Sequence, residues 1–127
     1  MVAGVCETLR PFDALVPVPL HPARLRQRGF NQSLLLARRA ADFLHVPVEE
    51  NLLRTRRTDS QVRLSANERL QNVMGAMEVQ PGSKIAGRTF VVIDDVVTTG
   101  STLAACAAVL SREGSQSVKA ATFCREL

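Results

Sequence analysis

The sequence predicts an α/β domain built on a mainly parallel sheet of about five strands flanked by helices. Segments with strand and helix patterns alternate along the chain, an order typical of strand–helix–strand units. Residues 89–93, TFVVI, form an unbroken apolar and largely β-branched run. Such runs are typical of strands that are buried on both faces of a parallel sheet. Residues 30–44 carry apolar side chains at helical spacing, which predicts a helix packed on that sheet.

The first half of the chain is predicted to contain two strands and one helix. Residues 14–20, ALVPVPL, are expected to form the first strand, and residues 21–29, HPARLRQRG, a basic loop. Asn31 is a plausible N-cap for the helix that follows, and Pro47 lies just beyond its predicted end. A short strand is expected over 51–56. The predicted buried face of the helix consists of Phe30, Leu34, Ala37, Ala41 and Leu44.

The second half begins with a long polar segment, residues 57–73, which we call the hood. It lacks an apolar face, so we expect a flexible loop, and loops of this length in compact domains are usually functional or disordered. Gly114 is expected to end the helix that follows the strand at 89–93. The remaining predicted elements are a brief strand at 75–79, a turn at Pro81-Gly82, a helix over 101–112 and a last strand over 117–124.

Length and composition favour one globular domain over residues 1–127. Hydrophobic residues make up 46% and charged residues 22%, which argues against disorder. The chain contains no apolar run long enough to span a membrane and no apolar signal-peptide segment near Met1. Its three cysteines, Cys6, Cys106 and Cys124, form no Cys-x-x-Cys pair, so a reducing cytoplasm is the simpler interpretation.

Basic residues exceed acidic residues by 16 to 12, which gives a net charge of +4. Only Lys84 and Lys119 are lysines, and an excess of arginine suits the bidentate binding of phosphate or carboxylate. A GC-rich genome would produce the same excess. Direct nucleic-acid binding by the arginine-rich segments is also compatible with this charge, although +4 is modest for that function.

The segment with the clearest chemistry is 91–102, VVIDDVVTTGST. A buried strand is predicted to end at Asp94 and Asp95, at the sheet edge where open α/β folds bind ligands. Gly100 allows a tight turn, and the backbone N–H groups that open the next helix, together with four hydroxyls, suit a phosphate. Carboxylates beside a phosphate site suit a diol, or a Mg²⁺ ion shared with the ligand. Phosphate and diol together predict a ribose 5-phosphate.

Each half of this motif also has an ordinary structural interpretation. A helix start rich in Thr and Ser is often a plain N-cap, and a pair of aspartates is often only solvated. The ordered combination of apolar strand, Asp-Asp, two apolar residues, Thr-Thr-Gly-Ser-Thr and amphipathic helix is much more specific than either half.

This segment resembles the phosphoribosyl pyrophosphate (PRPP) signature of type I phosphoribosyltransferases. The resemblance implies that Asp94 and Asp95 hold the ribose hydroxyls and contribute, directly or through the ligand, to a Mg²⁺ site. It assigns the 5-phosphate to Thr98, Thr99, Gly100, Ser101 and Thr102. Purine-type members carry an acidic residue where this chain has Thr98, so the loop is more similar to the orotate type.

Two further segments resemble the ComF/GntX branch of that family. Residues 16–32, VPVPLHPARLRQRGFNQ, are similar to one of its signatures, and Gln61 to Asn72 to another. Arg63 stands where a Gly is common and Met77 where Phe is common. The branch usually carries an N-terminal Cys-x-x-Cys zinc module, which this sequence lacks, so we expect a shortened chain or a short member.

The resemblance also suggests residues that bind pyrophosphate. The segment after the first strand receives pyrophosphate in type I enzymes, and here it supplies Arg24, Arg26, Arg28 and Gly29. The hood would close over PRPP, bringing Arg63 and Arg69 to the pyrophosphate. For the segment with the three arginines, the alternatives are a solvated basic loop or a loop that contacts a nucleic-acid backbone. For the hood, the alternative is an ordinary exposed loop.

The sequence therefore predicts a Mg²⁺-dependent phosphoribosyltransferase of the cytoplasm that binds PRPP or a nucleotide. The alternative is a non-catalytic PRPP- or nucleotide-binding accessory protein in competence or DNA uptake, with DNA-processing proteins as partners, since ComF proteins are associated with natural competence. No membrane span is expected, an oligomer is compatible with the sequence, and the acceptor is not identified by it.

Overall fold

A computed structural model of the chain describes residues 6–55, 77–97 and 100–125. The whole hood, including Arg63 and Arg69, lies outside the described residues, as do Thr98 and Thr99. The strands are β1 (Ala14–Pro17), β2 (Leu52–Arg54), β3 (Met77–Val79), β4 (Thr89–Val97) and β5 (Ser117–Arg125). The helices are α1 (Pro22–Arg28), α2 (Gln32–Leu44) and α3 (Ser101–Arg112).

The predicted α/β class and the parallel sheet flanked by helices are confirmed. Strand β4 lies between β1 and β5 and pairs with both in parallel. Strands β2 and β3 form a separate antiparallel pair. The five strands of the described part of the chain therefore divide into a three-stranded parallel sheet and a two-stranded sheet, and the parallel sheet is smaller than expected.

The parallel sheet is packed on both faces because successive side chains of its strands point to opposite sides. Phe90 and Val92 of β4 pack with α3 and the β2–β3 pair, whereas Val91 and Ile93 pack with α2. All four side chains are almost fully buried. This two-sided burial explains why the apolar run at 89–93 shows no alternation of polar and apolar residues.

Helix α2 matches its sequence prediction at both ends. The Asn31 side chain accepts hydrogen bonds from the backbone N–H groups of Ser33, at 3.0 Å, and Leu34, at 3.4 Å. His45 ends the helix in the left-handed conformation, with φ 58°. The predicted buried position of Phe30 is wrong, because this residue precedes the N-cap and its side chain is 48% exposed.

The segment predicted to be a basic loop is instead helix α1. Pro22 begins the helix and the Nδ1 atom of His21 accepts a hydrogen bond of 3.1 Å from the Ala23 N–H. Gly29 ends it at φ 83°, a conformation that favours glycine, and donates to the Leu25 oxygen at 2.7 Å. No residue of α1 is buried, so the helix lacks the apolar stripe that would have revealed it.

Strand β4 is longer than predicted. It continues through Asp94 and Asp95 to Val97, whereas the sequence indicated that the strand would end at the two carboxylates. The extension follows from its neighbour, because β5 remains paired with β4 as far as Arg125. Backbone pairing in the sheet thus overrides the low strand propensity of aspartate.

Candidate functional site

Asp94 and Asp95 lie near the carboxyl end of the central strand, where parallel sheets commonly bind ligands. Asp94 pairs in register with Thr122 of β5. Its side chain is only 9% exposed, and Asp95 beside it is half-buried. A carboxylate buried to this degree requires polar partners.

Burial raises the pKa of Asp94 to about 6, and the hydrogen bond and negative charge of Asp95 act in the same direction. The backbone of Asp95 and the hydroxyl of Ser33 act in the opposite direction, since both donate hydrogen bonds to the ionised form. The Ser33 Oγ atom lies 3.4 Å from Oδ1 of Asp94. A cation or a pair of hydroxyl donors at this position would favour the ionised carboxylate further.

A cavity of about 170 Å³ opens beside the two carboxylates. This volume is smaller than that of a pocket enclosing a whole drug-sized ligand, roughly 300–1,000 Å³, and suits part of such a molecule. Four of the predicted site residues line it, namely Arg28, Asp94, Asp95 and Thr102. Residues not assigned to the site from the sequence also line it: Val18, Pro19, Leu20, Asn31, Gln32, Ser33 and Arg54.

The helical form of α1 separates the predicted arginines. Arg24 and Arg28 are four residues apart and share one side of the helix, whereas Arg26 lies on another side. Arg24 is half-buried, Arg28 is exposed at the cavity and Arg26 is exposed. The structure therefore places Arg28 at the cavity with Arg24 on the same side of the helix, and it does not bring Arg26 to the cavity lining.

Arg54, at the end of β2, is a cationic residue of the site that sequence reasoning missed. Burial lowers the pKa of its guanidinium, the negative charge of Asp94 acts in the opposite direction, and the positive charge of Arg24 adds to the lowering. Arg54 therefore lies within electrostatic range of both the buried carboxylate and helix α1. The sequence signal that could have identified Arg54 is an arginine directly after two leucines of a short strand.

Helix α3 begins beside the same cavity. Its N-cap is Gly100, at φ 80°, which supplies no capping side chain. The Gly100 oxygen accepts from the Ala104 N–H at 2.9 Å. Ser101 and Thr102 are half-buried at the helix start. A helix N-terminus of this kind favours an anion electrostatically.

The donor set is compatible with a shared Mg²⁺ site. Asp94 and Asp95 offer carboxylate oxygens, the ligands Mg²⁺ prefers, and such sites usually use one or two carboxylates together with water and substrate phosphates. Among residues 6–55, 77–97 and 100–125, no group of three or more His, Cys, Asp or Glu side chains is arranged to hold a metal. The pair therefore fits an ion held jointly with a ligand.

Comparison with known proteins connects this geometry to a family. The family model of the phosphoribosyl transferase domain matches residues 31–127. The chain belongs to the phosphoribosyltransferase family. The matched residues run from the N-cap of α2 through the Asp94-Asp95 pair and helix α3, so this phosphoribosyltransferase domain contains most of the cavity lining.

Relatives of this phosphoribosyltransferase chain place it in the ComF-type branch. DNA utilization protein YhgH of Escherichia coli (strain K12) is 42% identical over 116 residues, covering 91% of this chain and 50% of that protein. Competence protein F of Haemophilus influenzae is 34% identical over 109 residues, covering 84% of this chain and 48% of that protein. The chain spans about half the length of these curated relatives.

Solved phosphoribosyltransferase-type structures share the fold. The glutamine PRPP amidotransferase of Bacillus subtilis, complexed with ADP and GMP, matches 96% of this chain and 24% of its own, with a TM-score of 0.63 and 20% identity. A purine phosphoribosyltransferase of Pyrococcus horikoshii matches 98% of this chain and 80% of its own, with a TM-score of 0.60 and 15% identity. In the described part of this phosphoribosyltransferase domain, no helix is long and apolar enough to cross a membrane.

Proposed function

We propose that this protein binds PRPP, or a nucleotide that carries ribose 5-phosphate, in the cavity beside Asp94. The observation that carries the proposal is the meeting of two carboxylates, Arg28 and Thr102 around one small cavity at the carboxyl end of β4. Carboxylates suit a sugar diol, and cations and a helix N-terminus suit phosphates. A phosphorylated ribose carries both chemistries within one molecule.

Each part of the ligand has assigned residues in this proposal. Asp94 and Asp95 accept hydrogen bonds from the ribose 2- and 3-hydroxyls. The 5-phosphate is bound at 98–102, the segment that opens helix α3. Arg24 and Arg28 lie on one side of α1 and would contact the pyrophosphate, whereas we expect little from Arg26 because it is on another side of the helix. Arg63 and Arg69 of the hood are proposed as further pyrophosphate contacts.

We propose phosphoribosyl transfer as the reaction. An acceptor forms a bond to ribose C1 while the bond from C1 to the pyrophosphate oxygen breaks, and the electron pair leaves with the pyrophosphate. The residues of this chain bind and orient the ribose and stabilise the charge on the leaving group. Mg²⁺, held by the carboxylate pair together with the ligand, would neutralise pyrophosphate charge. Because PRPP is a metabolite of the cytoplasm, the proposal includes that location.

A second candidate is a PRPP- or nucleotide-binding accessory protein that performs no transfer. It is favoured by the names of the relatives, which describe DNA utilization and competence. In this case the cavity senses the ligand, and proteins that process incoming DNA are the proposed partners. Both candidates use the same ribose and phosphate contacts, so binding alone does not separate them.

One experiment tests binding and then separates the candidates. Calorimetric titration with PRPP, with and without Mg²⁺, is followed by a screen for pyrophosphate release with nucleobases and small amines. Mg²⁺-dependent binding with release for at least one acceptor supports the transferase. Binding without release for any acceptor supports the accessory protein. Failure to bind PRPP, ribose 5-phosphate or nucleoside monophosphates contradicts both.

A further inference from the structure

A closed series of hydrogen bonds connects the start of helix α2 to the carboxylate of Asp94. The Val18 N–H donates to the Ile93 oxygen at 2.9 Å, so the end of β1 is tied to β4 just before Asp94. The Asn31 side-chain amide donates to the Val18 oxygen at 3.0 Å. The Ser33 N–H donates to Oδ1 of Asn31 at 3.0 Å.

Ser33 completes this series, because its hydroxyl donates to Oδ1 of Asp94 at 3.4 Å. Ser33 is only 3% exposed although its side chain is polar. Its hydroxyl and the Asp94 carboxylate both lie at the cavity described above. The backbone of Ser33 is fixed by the N-cap, so its hydroxyl is held by the same structure that fixes the end of β1.

A buried carboxylate can rotate about its side-chain bonds unless a partner holds one of its oxygens. The hydrogen bond from Ser33 involves Oδ1 specifically, and hydrogen bonds to charged groups are stronger than those between neutral groups. Recognition of a diol depends on the orientation of the accepting oxygens, since misdirected hydrogen bonds weaken steeply. Ser33 is therefore placed to fix the orientation on which diol recognition depends.

We propose that Ser33 is a positioning residue that orients Asp94 for the ribose diol and so sets the preference for ribose over 2-deoxyribose. This role rests on the proposed function, because it assumes that Asp94 accepts the 2-hydroxyl of the ribose. Ser33 acts through Asp94 and needs no contact of its own with the sugar. Removing the Ser33 hydroxyl should weaken the binding of sugars that carry both the 2- and the 3-hydroxyl. The affinity for inorganic phosphate should be unchanged.

The test compares three ligands by calorimetry: ribose 5-phosphate, 2-deoxyribose 5-phosphate and inorganic phosphate. The parent protein is expected to prefer ribose 5-phosphate over the deoxy sugar by about tenfold, the value of one good hydrogen bond to a charged group. In Ser33→Ala, affinity for ribose 5-phosphate should fall about five- to tenfold, with little change for the other two ligands. Alanine suits a helix, so melting curves should confirm an intact fold.

Two further variants separate positioning from a general structural role. Ser33→Thr keeps the hydroxyl and should restore the preference if the added methyl group is accommodated. In an Asp94→Asn background, Ser33→Ala should leave the ratio of the two sugar affinities unchanged, because residues that act through one another are not additive. This second comparison does not depend on whether threonine fits.

The outcomes distinguish this role from the function on which it rests. An equal loss for all three ligands in Ser33→Ala indicates a structural role and overturns the proposal. Unchanged discrimination between the sugars overturns it as well, and leaves the ribose site intact. A parent protein that binds neither sugar phosphate overturns the positioning role, and it contradicts the proposed function as well when PRPP and nucleoside monophosphates also fail to bind.

Discussion

The side-chain amide of Asn31 donates a hydrogen bond of 3.0 Å to the backbone oxygen of Val18. The same side chain caps helix α2 through its oxygen atom, which accepts from the Ser33 and Leu34 N–H groups. One residue thus begins the helix and connects it to the end of β1. Both Val18 and Asn31 line the cavity beside Asp94. The hydrogen bond between them therefore fixes the position of this side of the cavity.

Substitutions of Asn31 should distinguish its role as the N-cap of α2 from its hydrogen bond to Val18. Asn31→Ala loses both and is expected to lower the free energy of unfolding by about 1–2 kcal/mol, the usual cost of losing an N-cap, with a further loss of ligand affinity. Asn31→Ser keeps a cap acceptor and should recover most of the stability but not the affinity. Urea unfolding and PRPP titration measure the two effects. Full recovery of both by serine would contradict a separate role for the Val18 contact.

The burial of Asp94 predicts a substitution that stabilises the fold and removes ligand binding. In the unfolded chain the pKa of this carboxyl is near the ordinary 3.8, whereas in the folded protein it is raised to about 6. The folded state therefore binds the proton more tightly, and this contribution to stability is present below about pH 4 and lost as the pH rises through 6.

Asp94→Asn should consequently be more stable than the parent at pH 7.5, by up to about 3 kcal/mol, because an amide remains neutral. The advantage should shrink as the pH falls towards 4. Urea unfolding at several pH values measures it, and Asp42→Asn, on the exposed side of α2, is the matched control. An Asp94→Asn variant that is equally destabilised at both ends of the pH range would contradict the burial described here.

The bidentate ion pair between Glu49 and Arg88 should contribute measurably to stability. Its two contacts are 2.9 Å, from Nη1 to Oε1, and 2.7 Å, from Nη2 to Oε2, and both side chains are about three-quarters buried. Asn51 donates to the same carboxylate at 3.0 Å. A double-mutant cycle with Glu49→Ala and Arg88→Ala is expected to give a coupling of about 1 kcal/mol, at the upper end for partly exposed pairs.

The same pair has a defined pH dependence. The hydrogen bond from Arg88 holds the pKa of Glu49 below its ordinary 4.5, against the opposing effect of burial. The coupling should therefore be fully present above pH 4.5 and fall as the pH drops through the lower value in the folded state. A coupling that is absent at pH 7 would show that the pair is not formed in solution, and a coupling that is unchanged down to pH 2 would show that it does not depend on the ionised carboxylate of Glu49.

The helical form of α1 predicts different effects for its arginines. Arg28 lines the cavity, and Arg26 is exposed on another side of the helix. Arg28→Ala should lower PRPP affinity by about tenfold, since a charge-assisted contact with phosphate is lost. Arg26→Ala has the same change in charge and helix propensity and should alter affinity less than about twofold. Equal losses would indicate that long-range charge, rather than position, governs binding.

Most of the helices and strands could be predicted from local patterns, but α1 could not. Pro22 and Gly29 are helix start and end signals, and His21 caps the helix. These signals were outweighed by the absence of a buried stripe, because α1 is held at the surface and buries none of its residues. Periodicity reports packing, so a short helix without a packed face is missed.

The carboxylate pair could be predicted from the sequence because its motif combines several local features in order. Ser33 and Arg54 could not, since their roles depend on tertiary contacts. A serine in a first helical turn looks like a simple polar residue until β4 brings Asp94 against it, 61 positions away. In the sequence nothing marks Arg54 as packed, and it is half-buried only because of the arrangement of neighbouring elements.

The central claim is that Asp94 and Asp95 bind the ribose of PRPP, and calorimetry on the variant carrying both Asp94→Asn and Asp95→Asn tests it most directly. We predict Mg²⁺-dependent binding of PRPP by the parent protein. In the double variant the affinity should fall more than about 100-fold, because two hydrogen bonds to charged groups are lost, while urea unfolding shows a fold at least as stable. A stably folded double variant that binds PRPP as tightly as the parent would contradict the claim.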